Sequence, residues 1–389
     1  MKRKQTPNIQ MHAAEQFCSN VHCPKRGLIG QGNIRLHSRM EGRFRCTECQ
    51  RTFSVTTGTP LFGLKKEAEL YQTVITLLTW GCPIQAIVQT FDLDERTVAA
   101  WRDKAGKHCQ TIHQTKIVQG QLDLQQIQAD EIRVKGRAWV GWLAMAMLVS
   151  TRLWLGGVVS PKRDKHLIRE LMTLVAACSH LFAIVLVVTD GFAAYPQATI
   201  AAFRSKLPRP KGQRGRSRLA TWPGLMLGQV VKHARAKRVV EVTRHILRGA
   251  VDEVAECIAL SANGGKQELN TSYIERLNAT FRQRLGILCR RSRQAAHKLE
   301  KVQWAMWLCG TSYNFCQVHH SLRRLSWRGG SKRWAEFTPA MASGLTDYLW
   351  SVGELLWYKV PPAAYTAPKK RGRPPKSKSS VVKEHHAIV

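Results

Sequence analysis

Three acidic residues of this acid-poor chain stand at positions where carboxylates could bind a metal ion. Asp130 lies within a predicted strand, Asp190 follows an apolar strand over residues 182–189, and Glu275 opens a long predicted helix. Carboxylate oxygens are the ligands that Mg2+ prefers, and the ion keeps positions open for water and phosphate. If folding brings the three acids together, they predict a site for two Mg2+ ions, or Mn2+, that acts on a phosphodiester.

Each acid also has a simpler explanation. Glu131 directly follows the first acid, on the opposite face by strand alternation, and either could be a surface charge paired with a basic neighbour. Asp190 before Gly191 is common at the end of a strand. Ser272-x-x-Glu275 has the spacing of a capping box, in which the Glu side chain bonds back to the backbone. Only the joint placement of the acids favours a site.

The helix that begins near Glu275 has one polar and one apolar face. Asn278 and Arg282 follow the acid at i+3 and i+7 and share its side of the helix. This face suits metal binding at one end and a grip on phosphate at the other, although a solvated basic face is the alternative. The opposite face is predicted to be core and contains Ile274, Leu277, Phe281 and Leu285.

Four of the 11 cysteines are set apart by their spacing. Cys18-x4-Cys23 and Cys46-x2-Cys49 are separated by 22 residues, which is typical of a zinc ribbon with four thiolate ligands for one structural Zn2+. The segment around them has too little apolar content to fold on a core of its own. The alternative is four free thiols in a flexible arm. The odd total of cysteines argues against a disulfide framework.

Residues 66–106 are predicted to form three helices with a helix-turn-helix outline. Asp94 is placed to cap the third helix. That helix carries side chains able to reach base edges or phosphates in a major groove, namely Arg96, Thr97, Arg102 and Lys104. A plain three-helix packing unit with a solvated charged face is the alternative.

The remainder of the chain alternates strands and helices. Predicted strands at 126–134, 138–149 and 153–159 form an antiparallel meander, and helix 163–178, strand 182–189, helix 193–203, a strand at 237–242 and a helical region over 271–314 follow. The order βββαβαβα is that of the ribonuclease H-like fold, an α/β architecture with a mixed sheet.

Charge points to a polyanionic partner. The 389 residues contain 60 Lys and Arg against 26 Asp and Glu, a formal net charge of +34. No secretory signal or membrane-spanning stretch is evident, so we expect a cytoplasmic, nucleoid-associated protein that binds double-stranded DNA and neither a membrane nor a small-molecule substrate.

Two basic segments are predicted to be loosely folded. Residues 204–218 hold seven Lys or Arg and no acid, which suits a loop that lies on phosphates. The tail resembles an AT-hook, in which Arg371 and Arg373 of an Arg-Gly-Arg-Pro core would enter a narrow A·T minor groove. The alternative is a generic basic tail.

The three acidic blocks resemble those of DDE transposases. Gln-Ala-Asp130-Glu131-Ile, Thr189-Asp190-Gly-Phe-Ala-Ala-Tyr195 and Tyr273-Ile-Glu275-Arg-Leu-Asn278 carry the likeness, and they are most similar to the bacterial insertion sequence one family and its relatives. Proteins of that family also open with a four-cysteine zinc ribbon and a helix-turn-helix. The likeness covers most of residues 15–358. The basic loop and the tail depart from it.

The resemblance implies a domain order and an activity. Together with the predicted elements, it indicates a zinc ribbon over residues 1–62, a helix-turn-helix domain over 63–118, a ribonuclease H-like catalytic domain over 119–322 and a C-terminal helical segment over 323–366. The basic insertion near 204–236 and the tail over 367–389 are predicted from the sequence of this chain alone. The enzyme would bind terminal inverted repeats as a homo-oligomer. Asp130, Asp190 and Glu275 would hold Mg2+ for strand cleavage and strand transfer, with Asn278 and Arg282 positioning the acid or the phosphate.

Three other functions compete. A transposase-derived regulator would retain the DNA-binding shape without activity, and a nuclease with a ribonuclease H fold would cut DNA without joining it. An RNA-binding zinc protein is disfavoured because the sequence contains no aromatic-rich platform for single strands.

Overall fold

The computed structural model describes residues 12–119, 122–180, 183–208, 215–236, 238–261, 267–289, 296–328 and 331–366. Within these residues the chain divides into two compact units, one formed by residues 12–55 with 361–366 and the other by residues 56–360. The tail with Arg371 and Arg373 lies outside the described residues.

The smaller unit is built around a three-stranded antiparallel sheet. Its strands are β1 (Ile34–Ser38), β2 (Arg43–Cys46) and β3 (Thr52–Ser54), in that order. The buried side chains are Ile34, Phe44 and three of the four spaced cysteines. So small a core cannot offset the chain entropy of the unit by itself, and a cross-link through the cysteines would supply the missing stability.

The larger unit begins with the three predicted helices, α1 (Ala68–Thr79), α2 (Ile84–Phe91) and α3 (Glu95–His113). Asp94 caps α3 as predicted, because its Oδ1 accepts hydrogen bonds from the backbone N–H groups of Arg96 and Thr97. The buried side chains of these helices belong to the same hydrophobic core as the sheet that follows.

The sheet begins as the sequence predicts. Three strands, a helix, a fourth strand and a second helix follow one another: β4 (Gln125–Lys135), β5 (Val140–Leu148), β6 (Trp154–Ser160), α4 (Lys165–Cys178), β7 (Val185–Asp190) and α5 (Ala194–Ala202). Asp130 lies inside β4, and Asp190 is the last residue of β7, both as predicted.

The region predicted as a basic insertion is more ordered than expected. A small hairpin and a long one occupy its described part: β8 (Arg204–Lys206), β9 (Leu219–Thr221), β10 (Leu225–Arg235) and β11 (Arg238–Arg248). Residues 204–218 were predicted to be a loop within a basic insertion near 204–236, and β10 was not predicted, because its polar second half breaks the apolar pattern of a buried strand. The described part of the strand expected at 237–242 belongs to β11.

The C-terminal part also differs in detail. The long helical region is two helices, and the segment predicted to be helical contains a hairpin before two short helices. The elements are α6 (Val251–Ser261), α7 (Ser272–Arg284), α8 (Leu299–Cys316), β12 (Arg324–Arg328), β13 (Ser331–Ala335), α9 (Pro339–Ala342) and α10 (Val352–Trp357). Helix α6 was not predicted. Leu285 is the C-cap of α7 in an extended conformation, which ends the helix where the sequence analysis continued it.

The large sheet has six strands in the order β11-β10-β7-β4-β5-β6. Strands β4, β5 and β6 are antiparallel, β7 is parallel to β4, and β10 is parallel to β7. The outer strand β11 is antiparallel to β10. The sheet is therefore mixed, and the architecture is α/β, as predicted. The carboxyl end of β7 lies between the middle of β4 and the middle of β10.

Helices cover both faces of this sheet. Side chains of α6 pack on Leu186 and Val188 of β7, and the start of α7 is bonded to Gln128 of β4 on the same face. Helix α4 begins on the other face, where Arg163 precedes it and contacts Glu131. None of the helices in the described part of the chain is long and apolar enough to cross a membrane.

Candidate functional site

An acidic cleft lies at the edge where β4, β7 and β10 meet. It has a volume of about 540 Å³ and is lined by Asp130, Arg163, Asp190, Gly191, Phe192, Ala193, Val230, Val231, Lys232, Thr271 and Glu275. All three sequence-predicted acids thus face one cavity, although the second and the third are 85 positions apart in the sequence. Strands β4 and β7 pair with each other as far as Ala129 and Thr189, so Asp130 and Asp190 lie directly after the last residues that the two strands share.

Asp130 is the central acid of the cleft. Its Oδ2 accepts a hydrogen bond of 2.8 Å from Nδ2 of Asn278, and its Oδ1 accepts one of 2.8 Å from the backbone N–H of Glu131. Burial, together with the nearby charges of Glu131, Asp190 and Glu275, raises the pKa of Asp130 to about 6, although the hydrogen bond from the Glu131 backbone lowers it. A carboxylate with such a pKa is destabilised by its neighbours and would gain from a bound cation.

Glu131 belongs to this acidic group more closely than the sequence suggested. A carboxylate oxygen of Glu131 lies within 4.8 Å of one from Asp130 and one from Asp190. The Glu131 side chain starts on the opposite face, as strand alternation predicts. It can still approach the other two because β7 ends at Asp190 and the carboxylates meet past the end of the strand. These three acids could hold a metal ion.

Glu275 lines the same cleft from the first turn of α7. Its Oε1 accepts a hydrogen bond of 2.8 Å from the Thr271 hydroxyl and forms an ion pair with Lys232 of β10. Thr271 is the N-cap residue of α7, and its side chain makes no capping hydrogen bond. The capping-box explanation of Glu275 is therefore wrong, because its carboxylate is directed at the cleft and not at the backbone.

Two cations border the acids, and the sequence analysis identified neither. Arg163 donates to Glu131 at 2.9 Å and to Asp190 at 3.3 Å, and its guanidinium lies 4.2 Å from the centre of the Phe192 ring. Lys232 pairs with Glu275 from the other side. Arg163 lies in the loop before α4, although helix 163–178 was predicted to begin at it, and Lys232 lies in an unpredicted strand. The periodicity of the sequence therefore gave no sign that they border the acids.

The start of α7 is fixed to β4 by a single buried side chain. Nε2 of Gln128 donates to the carbonyl of Asn270 at 2.6 Å, and its Oε1 accepts from the backbone N–H groups of Tyr273 and Ile274 at 3.0 Å each. Gln128 lies two residues before Asp130 on the same face of the strand. It therefore sets the position of the helix that carries Glu275 relative to the strand that carries Asp130.

The helix α7 divides its faces as predicted. Ile274, Leu277, Phe281 and Leu285 are buried in the core. Asn278 is also buried, and its Oδ1 has no hydrogen-bond partner within the described residues. Arg282, in the last turn, is half-buried and is not among the described residues that line the cleft. Its expected role on phosphate remains a prediction.

The four spaced cysteines of the smaller unit come together. Sγ of Cys18 lies 3.6 Å from Sγ of Cys49, and Sγ of Cys23 lies 3.9 Å from Sγ of Cys46. Tetrahedral zinc with Zn–S bonds of about 2.3 Å requires sulfur atoms about 3.8 Å apart. All four sulfur atoms lie within 4.8 Å of one another, so the cluster is compatible with a structural zinc ion.

The predicted DNA-contacting residues of α3 differ in their surroundings. Arg96 is exposed and Thr97 half-exposed in the first turn. The Arg102 side chain is only 14% exposed and pairs with Asp103 at 2.9 Å. Lys104 donates to the backbone carbonyl of Phe62. The first turn of α3 is thus open to a ligand, whereas Arg102 and Lys104 are held by contacts within the protein.

Comparison of the chain with models of protein families gives no match, and a search among curated proteins gives no significant match either.

Proposed function

We propose that the protein is a DNA transposase of the DDE type, which cuts and joins DNA strands at the acidic cleft. The observation that carries this proposal is the convergence of Asp130, Asp190 and Glu275 on one cavity from two strands and a helix. The surrounding chain has a net charge of +34, so a carboxylate site open to solvent is available to a polyanion that the rest of the protein attracts.

The topology supports a ribonuclease H-like catalytic domain. Counted along the chain, the strands from β6 to β10 lie in the order 3-2-1-4-5, with the first three antiparallel and the next two parallel to the first. Strand β11 is an addition at the edge. This arrangement agrees with the fold that the order of predicted elements indicated. Because the first and fourth strands are adjacent in this order, Asp130 and Asp190 lie on neighbouring strands.

The residues of the cleft fit a divalent metal ion. The donors are carboxylate oxygens, the pKa of Asp130 is raised by burial and by the surrounding negative charge, and the buried Oδ1 of Asn278 lacks a partner within the described residues. When bound, Mg2+ or Mn2+ ions would activate a water or a 3′-hydroxyl and stabilise the leaving oxygen of the phosphodiester.

We assign the ligand role to Asp130, Asp190 and Glu275, in preference to Glu131. The Glu131 side chain is 1% exposed and paired with Arg163, whereas the side chains of Asp190 and Glu275 are 38% and 47% exposed. Exposed carboxylates can face a substrate phosphate. When DNA binds, Arg163 and Lys232 would give up some of their contacts with the acids and bind the phosphate oxygens instead.

The remaining parts of the chain would recognise DNA. A zinc ion in the four-cysteine cluster would make the smaller unit a zinc ribbon, and α2 with α3 would form a helix-turn-helix that contacts the element ends through Arg96 and Thr97. The tail with Arg371 and Arg373 would add affinity with little sequence information. As in the resemblance given above, the active form would be a homo-oligomer on paired ends.

The test combines cutting and joining in one reaction. Purified protein is incubated with Mg2+ or Mn2+, linear DNA that carries the sequences flanking its gene, and a supercoiled target plasmid. We expect metal-dependent nicks at the ends and joined products. Asp130→Asn should abolish both and keep DNA binding. Asp123→Asn, which changes an exposed acid at the other edge of the sheet, is the matched control.

The alternatives give different results in the same reaction. Cutting without joined products would indicate a nuclease with the same sheet. The protein could also bind DNA and show no Asp130-dependent cutting, with either metal ion and with DNA ends that cover the whole flanking sequence. This result would indicate a regulator without activity and would contradict the proposal.

A further inference from the structure

The strands β10 and β11 continue beyond the sheet as a two-stranded ribbon. Strand β10 pairs with β7 only as far as Val230, opposite Asp190. Its pairing with β11 continues from Val231 opposite Thr243 to Arg235 opposite Arg238. At about 3.3 Å per residue, these five residues extend roughly 16 Å past the end of β7. We call residues 231–235 and 238–243 the projecting ribbon.

The projecting ribbon is exposed and basic. Its tip carries the exposed residues His233, Arg235 and Arg238. Glu241, opposite His233, is its one acid within the described residues. Lys237 adds a further positive charge to the sequence of this segment and lies outside the described residues. An exposed ribbon with this charge excess attracts phosphates.

The tip is also apolar in one place. The register shifts between His233 and Ala234, and Val239 and Val240 next to this irregularity are 56% and 65% exposed. Cations combined with exposed apolar side chains suit a DNA groove, where phosphates lie at the rims and sugars and thymine methyl groups face inward. A major groove about 12 Å wide admits a two-stranded β-ribbon.

The base of the ribbon borders the acidic cleft. Lys232 lines the cleft and pairs with Glu275, and Val231 lies beside Gly191. The other basic hairpin, β8–β9, comes after α5 and just before β10 begins, at the edge of the sheet opposite the acids. DNA held by the projecting ribbon would therefore pass the acids, and DNA held by β8–β9 would not.

We propose that the projecting ribbon is a DNA-binding element that enters a groove of duplex DNA and holds the phosphates beside the scissile bond. This inference rests on the proposed function for the identity of the ligand. Arg235 and Arg238 supply the phosphate contacts, and Val239 and Val240 contact the wall of the groove. These contacts are made to the DNA backbone and depend on the shape of the groove, so we expect the ribbon to bind DNA of any sequence.

The first test measures affinity for a duplex of about 30 base pairs as a function of salt. The double variant Arg235→Gln with Arg238→Gln should bind about tenfold more weakly at 100 mM salt, and the slope of log affinity against log salt should fall by about 2. The control is Arg216→Gln with Arg218→Gln, which removes two exposed arginines near β9. If the control loses as much affinity as the ribbon variant, or more, the inference is wrong.

The second test locates the DNA and is independent of stability. Ala236→Cys, at the exposed turn of the ribbon, carries a photo-activated cross-linker on an otherwise intact protein. We expect cross-links within one helical turn of the position that is cut. Cross-links spread evenly along the duplex, or cross-linking to duplex RNA and not to DNA, would overturn the inference.

The two proposals fail separately. Loss of affinity in the ribbon variant together with an absence of cutting by the unaltered protein supports the ribbon and contradicts the enzymatic proposal. Asp130-dependent cutting with unchanged binding by the ribbon variant supports the enzyme and contradicts the ribbon.

Discussion

At the scale of single residues, Asp130 is the acid whose ionisation the fold changes most directly. Burial raises its pKa to about 6 from an ordinary value of 3.8, with the charges of Glu131, Asp190 and Glu275 acting in the same direction. Because the folded-state pKa is raised, the folded protein retains a proton between about pH 4 and pH 6 that the unfolded chain has lost. The contribution of Asp130 to the stability without added Mg2+ therefore falls as pH rises through this window.

Asp130→Asn should remove this pH dependence. At pH 4 we expect the free energy of unfolding of the variant to be equal to that of the unaltered protein or lower. Between pH 4 and pH 7 the difference should shift by about 1–3 kcal/mol in favour of the variant, because the variant lacks the charge of the Asp130 carboxylate. Added Mn2+ should stabilise the unaltered protein at pH 7 but not at pH 5. Thermal unfolding at fixed zinc concentration measures both effects. A difference between the two proteins that does not change with pH contradicts the prediction.

Glu275 and Glu131 should respond differently to the same substitution. Glu275→Gln removes an exposed acid of the cleft, so strand cutting should fall by at least 100-fold with little change in unfolding. Glu131→Gln leaves Arg163 without its buried partner and should cost about 1–3 kcal/mol of stability. Cutting rates and thermal unfolding on both variants make the comparison. If Glu131→Gln reduced the cutting rate more than Glu275→Gln did, without a matching loss of stability, Glu131 would be the metal ligand.

At the scale of elements, the acidic site depends on how α7 is attached to β4. Gln128 bonds the backbone at Asn270, Tyr273 and Ile274, and no other described residue links these two elements by as many hydrogen bonds to one side chain. The two N–H groups belong to the first turn of a helix and have no partner within it. The attachment therefore serves both the stability of α7 and the position of Glu275.

Gln128→Leu should loosen this attachment. The buried N–H groups of Tyr273 and Ile274 would lose their acceptor, and we expect a loss of about 2–3 kcal/mol in the free energy of unfolding and a decrease of 10- to 100-fold in cutting. Gln126→Leu is the matched control, since Gln126 is equally buried on the same face and its Nε2 has no partner within the described residues. Equal losses from both variants would show that the Gln128 hydrogen bonds do not position the helix.

The smaller unit should depend on zinc. Cys23→Ser removes one of four sulfur ligands, and we expect the bound zinc to fall from one ion per chain to a small fraction of that. Residues 12–55 should then become sensitive to protease, because their apolar core is small. Metal analysis and limited proteolysis check this, with Cys82→Ser, outside the cluster, as the control. Full zinc content in Cys23→Ser would contradict the assignment.

At the scale of the whole molecule, the charge is distributed unevenly around the site. The chain has an excess of 34 positive charges, yet three carboxylates line the cleft. The cations thus supply affinity for DNA, and the acids act on one position along it. We expect the affinity for duplex DNA to fall steeply with salt, with a log–log slope on the order of −5 or steeper. Fluorescence anisotropy over 50–300 mM salt measures it, and a slope near zero would exclude an electrostatic interface.

Much of the fold could be predicted because it follows from local patterns. The apolar runs of β4 to β7 and the periodicity of α4 and α7 identify these elements from the sequence. Asp94 as a cap and Asp190 as a strand end were identified in the same way. Strand β10 was missed because its second half is polar and projects from the sheet. The apolar pattern of a buried strand is absent from residues 231–235, because this part of β10 extends beyond the sheet.

The sequence by itself determined which acids are candidates and which cysteines form a set, since residue type, spacing and position on an element are local properties. Only the tertiary structure decided the partners of those acids: Arg163 beside Glu131, Lys232 beside Glu275, and Gln128 beneath α7. These contacts join residues between 32 and 146 positions apart. Their existence depends on the register of distant strands and the packing of helices on them, which no local pattern encodes.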